Sequence, residues 1–259
     1  MEPVLVSLEA GVQRITLNRP EKLNAFNPAL HKGLAAAISQ AESESAIRCL
    51  LITGAGRGFC AGQDLTERDM KAAAIDLGAG LEAWYNPLVK RMRALPKPIV
   101  CAVNGVAAGA GANFALACDI VLAARSASFI QAFVKIGLVP DCGGSYFLPR
   151  LAGTQRAMAL AMTGGRLSAE DAERWGLIWK CIDDAQLKVE SEKLSIALAA
   201  GPTRSIGLIK KAMYASANNT LAEQLDLERD LQREVGKGDD YREGVAAFLE
   251  KRSPAFTGK

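Results

Sequence analysis

The sequence predicts an α/β fold. Three observations carry that expectation: short apolar runs recur (CLLITGAG, PIVCAVNG, IVLAARSASFI), helical patterns separate them, and from Pro202 onward the chain reads as helix alone. Strands that alternate with helices bury a sheet against helical layers. With 259 residues, 49% apolar and 23% charged, the chain can enclose one large core. The expected division is an α/β core over 1–200 and a helical region over 201–259, the latter packing against a sister subunit.

Taken in order, PVLVSLEAGVQRITLN alternates around Gly11 and reads as a hairpin. NPALHKGLAAAISQAESES follows as an amphipathic helix, with Asn27 as N-cap and Pro28 at its first position. CLLITGAG is a short apolar run ending in glycine, the pattern of a buried strand. Residues 66–95 read as polar helix stopped by Pro96 and Pro98; PIVCAVNG is a second buried strand and GAGANFALACD a helix start. IVLAARSASFI gives a third strand with its turn, and helical and turn segments fill the chain to about residue 200. The last three helices are TRSIGLIKKAMYASA, TLAEQLDLERDLQREVG and YREGVAAFLEKR.

Bulk properties exclude several classes. A net charge of +3 with no basic stripe argues against nucleic acid. Cys49, Cys60, Cys101, Cys118, Cys142 and Cys181 form no CxxC pair and sit mostly in apolar runs, as reduced buried thiols do. MEPVLVSLEAG lacks the build of a signal peptide, no apolar run is long enough to span a bilayer, and FTGK is no peroxisomal address. A cytoplasmic protein with no membrane partner is expected.

Two glycine-rich segments follow strands. In GAGRGFCAGQDL the dinucleotide spacing starts at Gly54 and Gly56 but meets Phe59 at its third position, and no Gly-Lys-Ser/Thr follows, so neither nucleotide signature is met. The segment is either a flexible turn or a tight bend that presents a backbone N–H to a ligand. NGVAAGAGANFALACD places small residues where a strand enters a helix, either for close packing or to leave free N–H groups at a helix start.

AGQDL, NGVAAGAG and GLVPDCGG, in that order, with NRPEKLNAF before them and FLEKRSPAF at the end, resemble the enoyl-CoA hydratase/isomerase (crotonase) superfamily over essentially the whole chain. The resemblance implies a crotonase-like spiral of repeated ββα units with a C-terminal helical region that caps the active site and serves oligomerisation, as a homotrimer or dimer of trimers. It implies a CoA-thioester carbonyl held between the backbone N–H groups of Gln63 and Ala110, an oxyanion hole. Lys22, Leu23, Ala25, Ala61, Gly62, Asp64 and Leu65 would line the CoA moiety, Gly109 and Phe133 the reacting end, and Lys251 or a neighbouring subunit's tail a phosphate. No cofactor beyond the CoA of the substrate is implied, and no metal.

Hydratase-type members carry two glutamates where this chain has Asn113 and Phe133. Neither can exchange a proton near neutral pH, and adding water to an enoyl thioester needs such a group. Asp141 lies in GLVPDCGG, where a turn role is the plain reading of Pro-Asp-Cys-Gly. Isomerase-type members place an aspartate there facing the substrate, so the resemblance makes Asp141 the acid/base, its pKa raised by burial against Phe133 and Val139. VKIGLVPDCGGSYFLPRLAG and GGRLSAEDAERWGLIWKCIDD are most similar to ring-epoxide isomerases of phenylacetate degradation, which convert epoxidised phenylacetyl-CoA to an oxepin; related enzymes shift β,γ double bonds to α,β. The alternatives are a weak hydratase, or a non-catalytic acyl-CoA-binding or scaffold member. Aryl-CoA dehalogenase chemistry needs a histidine base, and the only histidine, His31, reads as a surface or helix-packing residue. The tryptophans read as packing residues, with Trp84 a candidate wall of the acyl pocket.

Overall fold

The computed structural model describes residues 2–67 and 76–259. β1 (Val4–Glu9) and β2 (Val12–Leu17) form the expected hairpin, turning through Ala10 and Gly11, both at positive φ. α1 (Pro28–Ser43) starts as read: the Asn27 side chain accepts a hydrogen bond from the Leu30 N–H at 2.9 Å, and Pro28 occupies the first turn. β3 (Cys49–Gly54) and β4 (Gly58–Cys60) come next.

The helix expected over 66–95 is only partly found. A single 3-10 turn spans Leu65–Glu67, and residues 68–75 lie outside the described residues. Helix then runs as α2 (Leu77–Gly80), a π-helical turn (Leu81–Tyr85) and α3 (Asn86–Ala94), stopping ahead of Pro96 and Pro98.

β5 (Ile99–Val103), β6 (Val106–Ala108), α4 (Ala110–Leu116), β7 (Ile120–Ala124) and β8 (Ser128–Ile130) follow, then α5 (Gly144–Ala152) and α6 (Thr154–Thr163). β9 (Arg166–Ser168), α7 (Ala169–Arg174), β10 (Lys180–Ile182) and α8 (Leu187–Ala200) complete the core, and α9 (Thr203–Ala215), α10 (Leu221–Val235) and α11 (Asp239–Glu250) end the chain. β9 and β10 correct the expectation of helices and turns alone before residue 200. Three residues are too few to show a period of two, and each strand exists because it extends an edge already formed: β9 lies antiparallel on β8, β10 parallel on β7.

One sheet has the order β1-β2-β3-β5-β7-β10, the other β4-β6-β8-β9. In each pair β3/β4, β5/β6 and β7/β8, the first strand joins the larger sheet and the second the smaller, all in parallel register with the preceding pair. The chain thus winds as a spiral of ββα units, as the resemblance implied. All five residues of β5 are buried, which is why PIVCAV reads as an unbroken apolar run. α8 packs on β2, β3, β5 and β7; α1 packs on β1, β2 and α3. Between the sheets and α4, the Phe114 ring stacks with Phe59 at 6.5 Å and meets Phe26 edge-on at 5.6 Å. Five cysteines are buried and Cys181 is half-buried; burial pushes the Cys49 and Cys60 thiols up to about 12.

The C-terminal helices return onto this core. Arg48, just before β3, donates to the carbonyl oxygens of Gly201 and Phe256 and to the Thr203 hydroxyl. Gly207 lets α9 approach so closely that an added Cβ would lie 2.5 Å from the Pro96 carbonyl oxygen. Among the described residues no helix is long and apolar enough to cross a membrane.

Candidate active site

The NRPEKLNAF segment is a tight bend whose shape is set by Asn24. Leu23 and Asn24 both have left-handed φ, 48° and 56°, a conformation Asn tolerates better than most residues. The buried Asn24 side chain accepts from the Arg19 N–H at 2.8 Å and donates to the carbonyls of Ala55 and Gly58 at 2.9 Å each. This bend brings Ala25 and Phe26 against AGQDL: the Ala61 N–H bonds the Leu23 carbonyl, and Phe26 bridges Gln63 in parallel.

That bridge fixes where Gln63 points its amide. The Phe26 N–H bonds the Gly62 carbonyl at 2.7 Å and the Asp64 N–H bonds the Phe26 carbonyl at 2.9 Å. Both bonds use the neighbours of Gln63, so the Gln63 N–H itself faces away from the Phe26 strand. On the opposing segment Ala110 is the first residue of α4, and first-turn N–H groups have no partner inside a helix. Gly109, at φ 53°, turns the chain into that helix. The two segments abut. A Cβ on Gly62 would lie 2.8 Å from the Ala108 carbonyl oxygen and 3.5 Å from the Ala110 nitrogen, and one on Gly111 would overlap the Cys60 carbonyl. Only glycine permits this approach, which sets the Gln63 and Ala110 amides on adjoining strips of backbone.

Asp141 is half-buried and opens a turn closed by the Gly144 N–H on its carbonyl at 2.8 Å, with Cys142 and Gly143 both at left-handed φ. The fully buried Asn113 side chain also donates to the Asp141 carbonyl at 2.8 Å and accepts from the Gln131 side chain at 2.8 Å. Asn113 stands one turn beyond Ala110 on α4 and so shares its face. Asn113 therefore holds the Asp141 turn to the helix that carries Ala110. Phe133 is buried, and its ring lies 3.7 Å from where a Gly109 Cβ would stand. Val139, expected to help bury Asp141, is itself 79% exposed.

The remaining expected residues divide. Leu23, Ala25, Ala61 and Gly62 belong to the assembled bend, while Lys22 and Leu65 are exposed at its rim. Asp64 is occupied: its carboxylate meets Arg19 at 2.9 Å and the Thr66 hydroxyl at 2.6 Å, and these bonds, Thr66 foremost, hold it below the usual carboxylate range. It braces the loop. Lys251 ends α11 in a left-handed C-cap, and among the described residues its side chain makes no hydrogen bond or ion pair to these loops. No group of three or more His, Cys, Asp or Glu among the described residues could hold a metal ion.

Four participants escaped the sequence reading. Arg19 and Asn24 lie inside NRPEKLNAF, where an Asn among apolar residues at a bend is the available signal. Gln131 and Tyr85 gave none. Tyr85 donates to the Gln63 side-chain oxygen at 2.7 Å and packs on His31, whose ring stacks between Phe26 and Trp84. His31 is thus a packing residue, and burial pushes its pKa down to about 4.

That burial has a pH signature. The unfolded imidazole takes a proton below 6.5 while the folded one stays neutral to about 4, so stability is full above 6.5 and is lost as pH falls toward 4. The expected loss is about 3 kcal/mol from this residue. Urea unfolding at pH 7, 5.5 and 4 should show it, and His31→Phe should flatten that limb; an unchanged slope would assign the acid loss to other groups.

A profile of the enoyl-CoA hydratase/isomerase family matches residues 7–259. Over the full length of both chains the protein is 58% identical to a 1,2-epoxyphenylacetyl-CoA isomerase of Escherichia coli. It is 46% identical to a protein of Rhodobacter capsulatus described as a probable enoyl-CoA hydratase, over 97% of this chain and 96% of that one. The crystal structure of an enoyl-CoA hydratase from Bacillus anthracis superposes with a TM-score of 0.93 at 31% identity, covering 99% of this chain and all of that one. In sequence and in fold alike, the chain belongs to the enoyl-CoA hydratase/isomerase family.

Proposed function

We propose that the protein is a CoA-thioester isomerase, with ring-epoxidised phenylacetyl-CoA as its first substrate and β,γ-enoyl thioesters as a second class. The observation that carries this reading is the joining of two parts on α4, the Ala110 amide beside Gln63 and the Asp141 turn held by Asn113, with an amide (Asn113) and a phenyl ring (Phe133) at the two positions where hydration would need carboxylates. The full-length similarity to an isomerase supports it.

In the β,γ-enoyl case the Asp141 carboxylate takes the proton from the carbon next to the thioester. The electron pair moves onto the thioester oxygen, where the Gln63 and Ala110 N–H groups stabilise the enolate. The protonated Asp141 then delivers that proton to the γ carbon, and the double bond comes to rest at α,β. No water and no second base enters the sequence. Lys22, Leu23, Ala25, Ala61, Gly62 and Leu65 border the CoA chain, Gly109 and Phe133 the acyl group, and Asp64 acts through Arg19 on the loop shape.

Residues 201–259 supply the assembly surface of a homotrimer or dimer of trimers in this reading. Ile209, Leu231, Tyr241, Val245 and Phe248 line a 540 Å³ groove between α9, α10 and α11, and Phe248 and Leu249 are 81% and 73% exposed in the single chain. Lys251 follows directly and would reach a CoA phosphate only across such an interface.

The test is a panel of ring-epoxide, β,γ-enoyl and α,β-enoyl thioesters followed by proton NMR. Turnover of the first two with no water added to the third is the expected result; hydration of the third faster than isomerisation of the others would overturn it.

A further inference from the structure

We propose that Tyr85 is a positioning residue for the Gln63 arm of the oxyanion hole. The inference rests on the proposed role of the Gln63 N–H and extends it to a side chain that belongs to neither glycine-rich motif.

The local chain explains how Tyr85 arrives there. Pro87 has no N–H to bond the carbonyl four residues back, and the helix widens instead: the Asn86 N–H bonds the Leu81 carbonyl, five residues back, closing a π turn that ends on Tyr85. Its ring is 96% buried and clamped edge-on by His31 at 4.4 Å and by Phe26 at 5.2 Å, so it cannot swing away. Its hydroxyl donates to the Gln63 Oε1 at 2.7 Å, and Gln63 Nε2 donates to the Phe26 carbonyl at 3.0 Å.

The direction of the first bond sets the second. A tyrosine hydroxyl that donates must meet the amide oxygen, which turns the Gln63 NH2 toward Phe26. The Phe26 carbonyl already accepts the Asp64 N–H at 2.9 Å, so side chain and backbone of the 63–64 step converge on one oxygen. The Gln63 N–H that would meet the thioester belongs to the preceding peptide, whose Gly62 carbonyl accepts the Phe26 N–H at 2.7 Å. That peptide is held at its Gly62 end by Phe26 and at its Gln63 end by the two bonds to the Phe26 carbonyl. Without the hydroxyl, the Gln63 amide loses its reason to face Phe26, is free to flip, and can itself compete for the thioester oxygen.

Tyr85→Phe keeps the ring and removes only the hydroxyl. The expected result is a roughly 3- to 10-fold fall in kcat, the size of one hydrogen bond, with KM nearly unchanged. The decisive readout is the thioester C=O stretch of a bound, unreactive acyl-CoA in isotope-edited infrared spectroscopy. The wild-type protein should shift it to lower frequency than buffer, and Tyr85→Phe should return it part of the way; a merely structural role would leave it unmoved. Gln63→Met retains the backbone N–H and removes the same bond from the other side, so on its own it should return the stretch part of the way, which keeps the test open if the tyrosine variant folds poorly. Where both fold, adding Tyr85→Phe to it should cost nothing further. An equal stretch in wild type and Tyr85→Phe, or additive losses in the double variant, would overturn the role of Tyr85. A wild-type stretch identical to buffer would instead overturn the oxyanion hole on which it rests.

Discussion

Asp141→Asn is expected to slow isomerisation by roughly 10²- to 10⁴-fold, the range over which a positioned acid/base acts, while acyl-CoA binding stays nearly intact. The separation follows from how the turn is built. Gly144 and Asn113 both bond the main-chain carbonyl of Asp141, so neither anchor depends on the carboxylate. An amide of equal size therefore leaves the backbone in place and removes only the ability to carry a proton. Calorimetric titration with a non-reacting acyl-CoA reads the binding, and the movement of a deuterium label from the carbon beside the thioester to the γ carbon reads the proton transfer. Asn113→Ala should behave differently: it deletes the donor that holds the turn to α4 and leaves the Gln131 amide without its acceptor, so stability and rate fall together. Full activity in Asp141→Asn would end the assignment of the proton carrier.

How far the sequence speaks depends on whether a feature is local. The hairpin, the Asn27 cap, the β3 and β5 runs and the three C-terminal helices all follow from neighbouring residues, and each is found. β9 and β10 do not, since three-residue strands exist only because an edge was waiting for them. The same distinction runs through the site. AGQDL and NGVAAGAG are legible because glycines at strand ends announce close backbone approach, which Gly62 and Gly111 make, while GLVPDCGG reads alone only as a turn and takes its further meaning from the family resemblance. The residues that brace those loops were silent. Arg19 meets Asp64 across 45 positions, Gln131 meets Asn113 across 18, and Tyr85 meets Gln63 across 22, and no periodicity joins such pairs. Asp64 shows the opposite hazard: a conspicuous carboxylate in a ligand-facing motif that spends its charge on the loop itself.

Lys210→Met carries the largest expected cost in stability, about 3–5 kcal/mol, because it breaks a buried ion pair from one side only. Lys210 is 8% exposed, and its ammonium lies 2.8 Å from the Asp119 carboxylate and donates to the Met92 carbonyl at 2.8 Å. Burial pushes its pKa down, with Asp119 opposing that shift. Asp119 also accepts the Ile99 N–H at 2.8 Å and the Tyr214 hydroxyl, so one carboxylate ties the start of β5 to two positions on α9. Without the ammonium the carboxylate is left with the two neutral donors, and its desolvation is no longer offset by a paired cation. Combining Lys210→Met with Asp119→Asn removes the charge and keeps an acceptor in place, so the double variant should be more stable than Lys210→Met alone. Urea unfolding at pH 7 measures both, and hydrogen exchange should show α9 opening ahead of the sheet in the single variant. A neutral Lys210→Met would mean that α9 is held by its apolar contacts and the close approach of Gly207 to Pro96, with the ion pair contributing register alone.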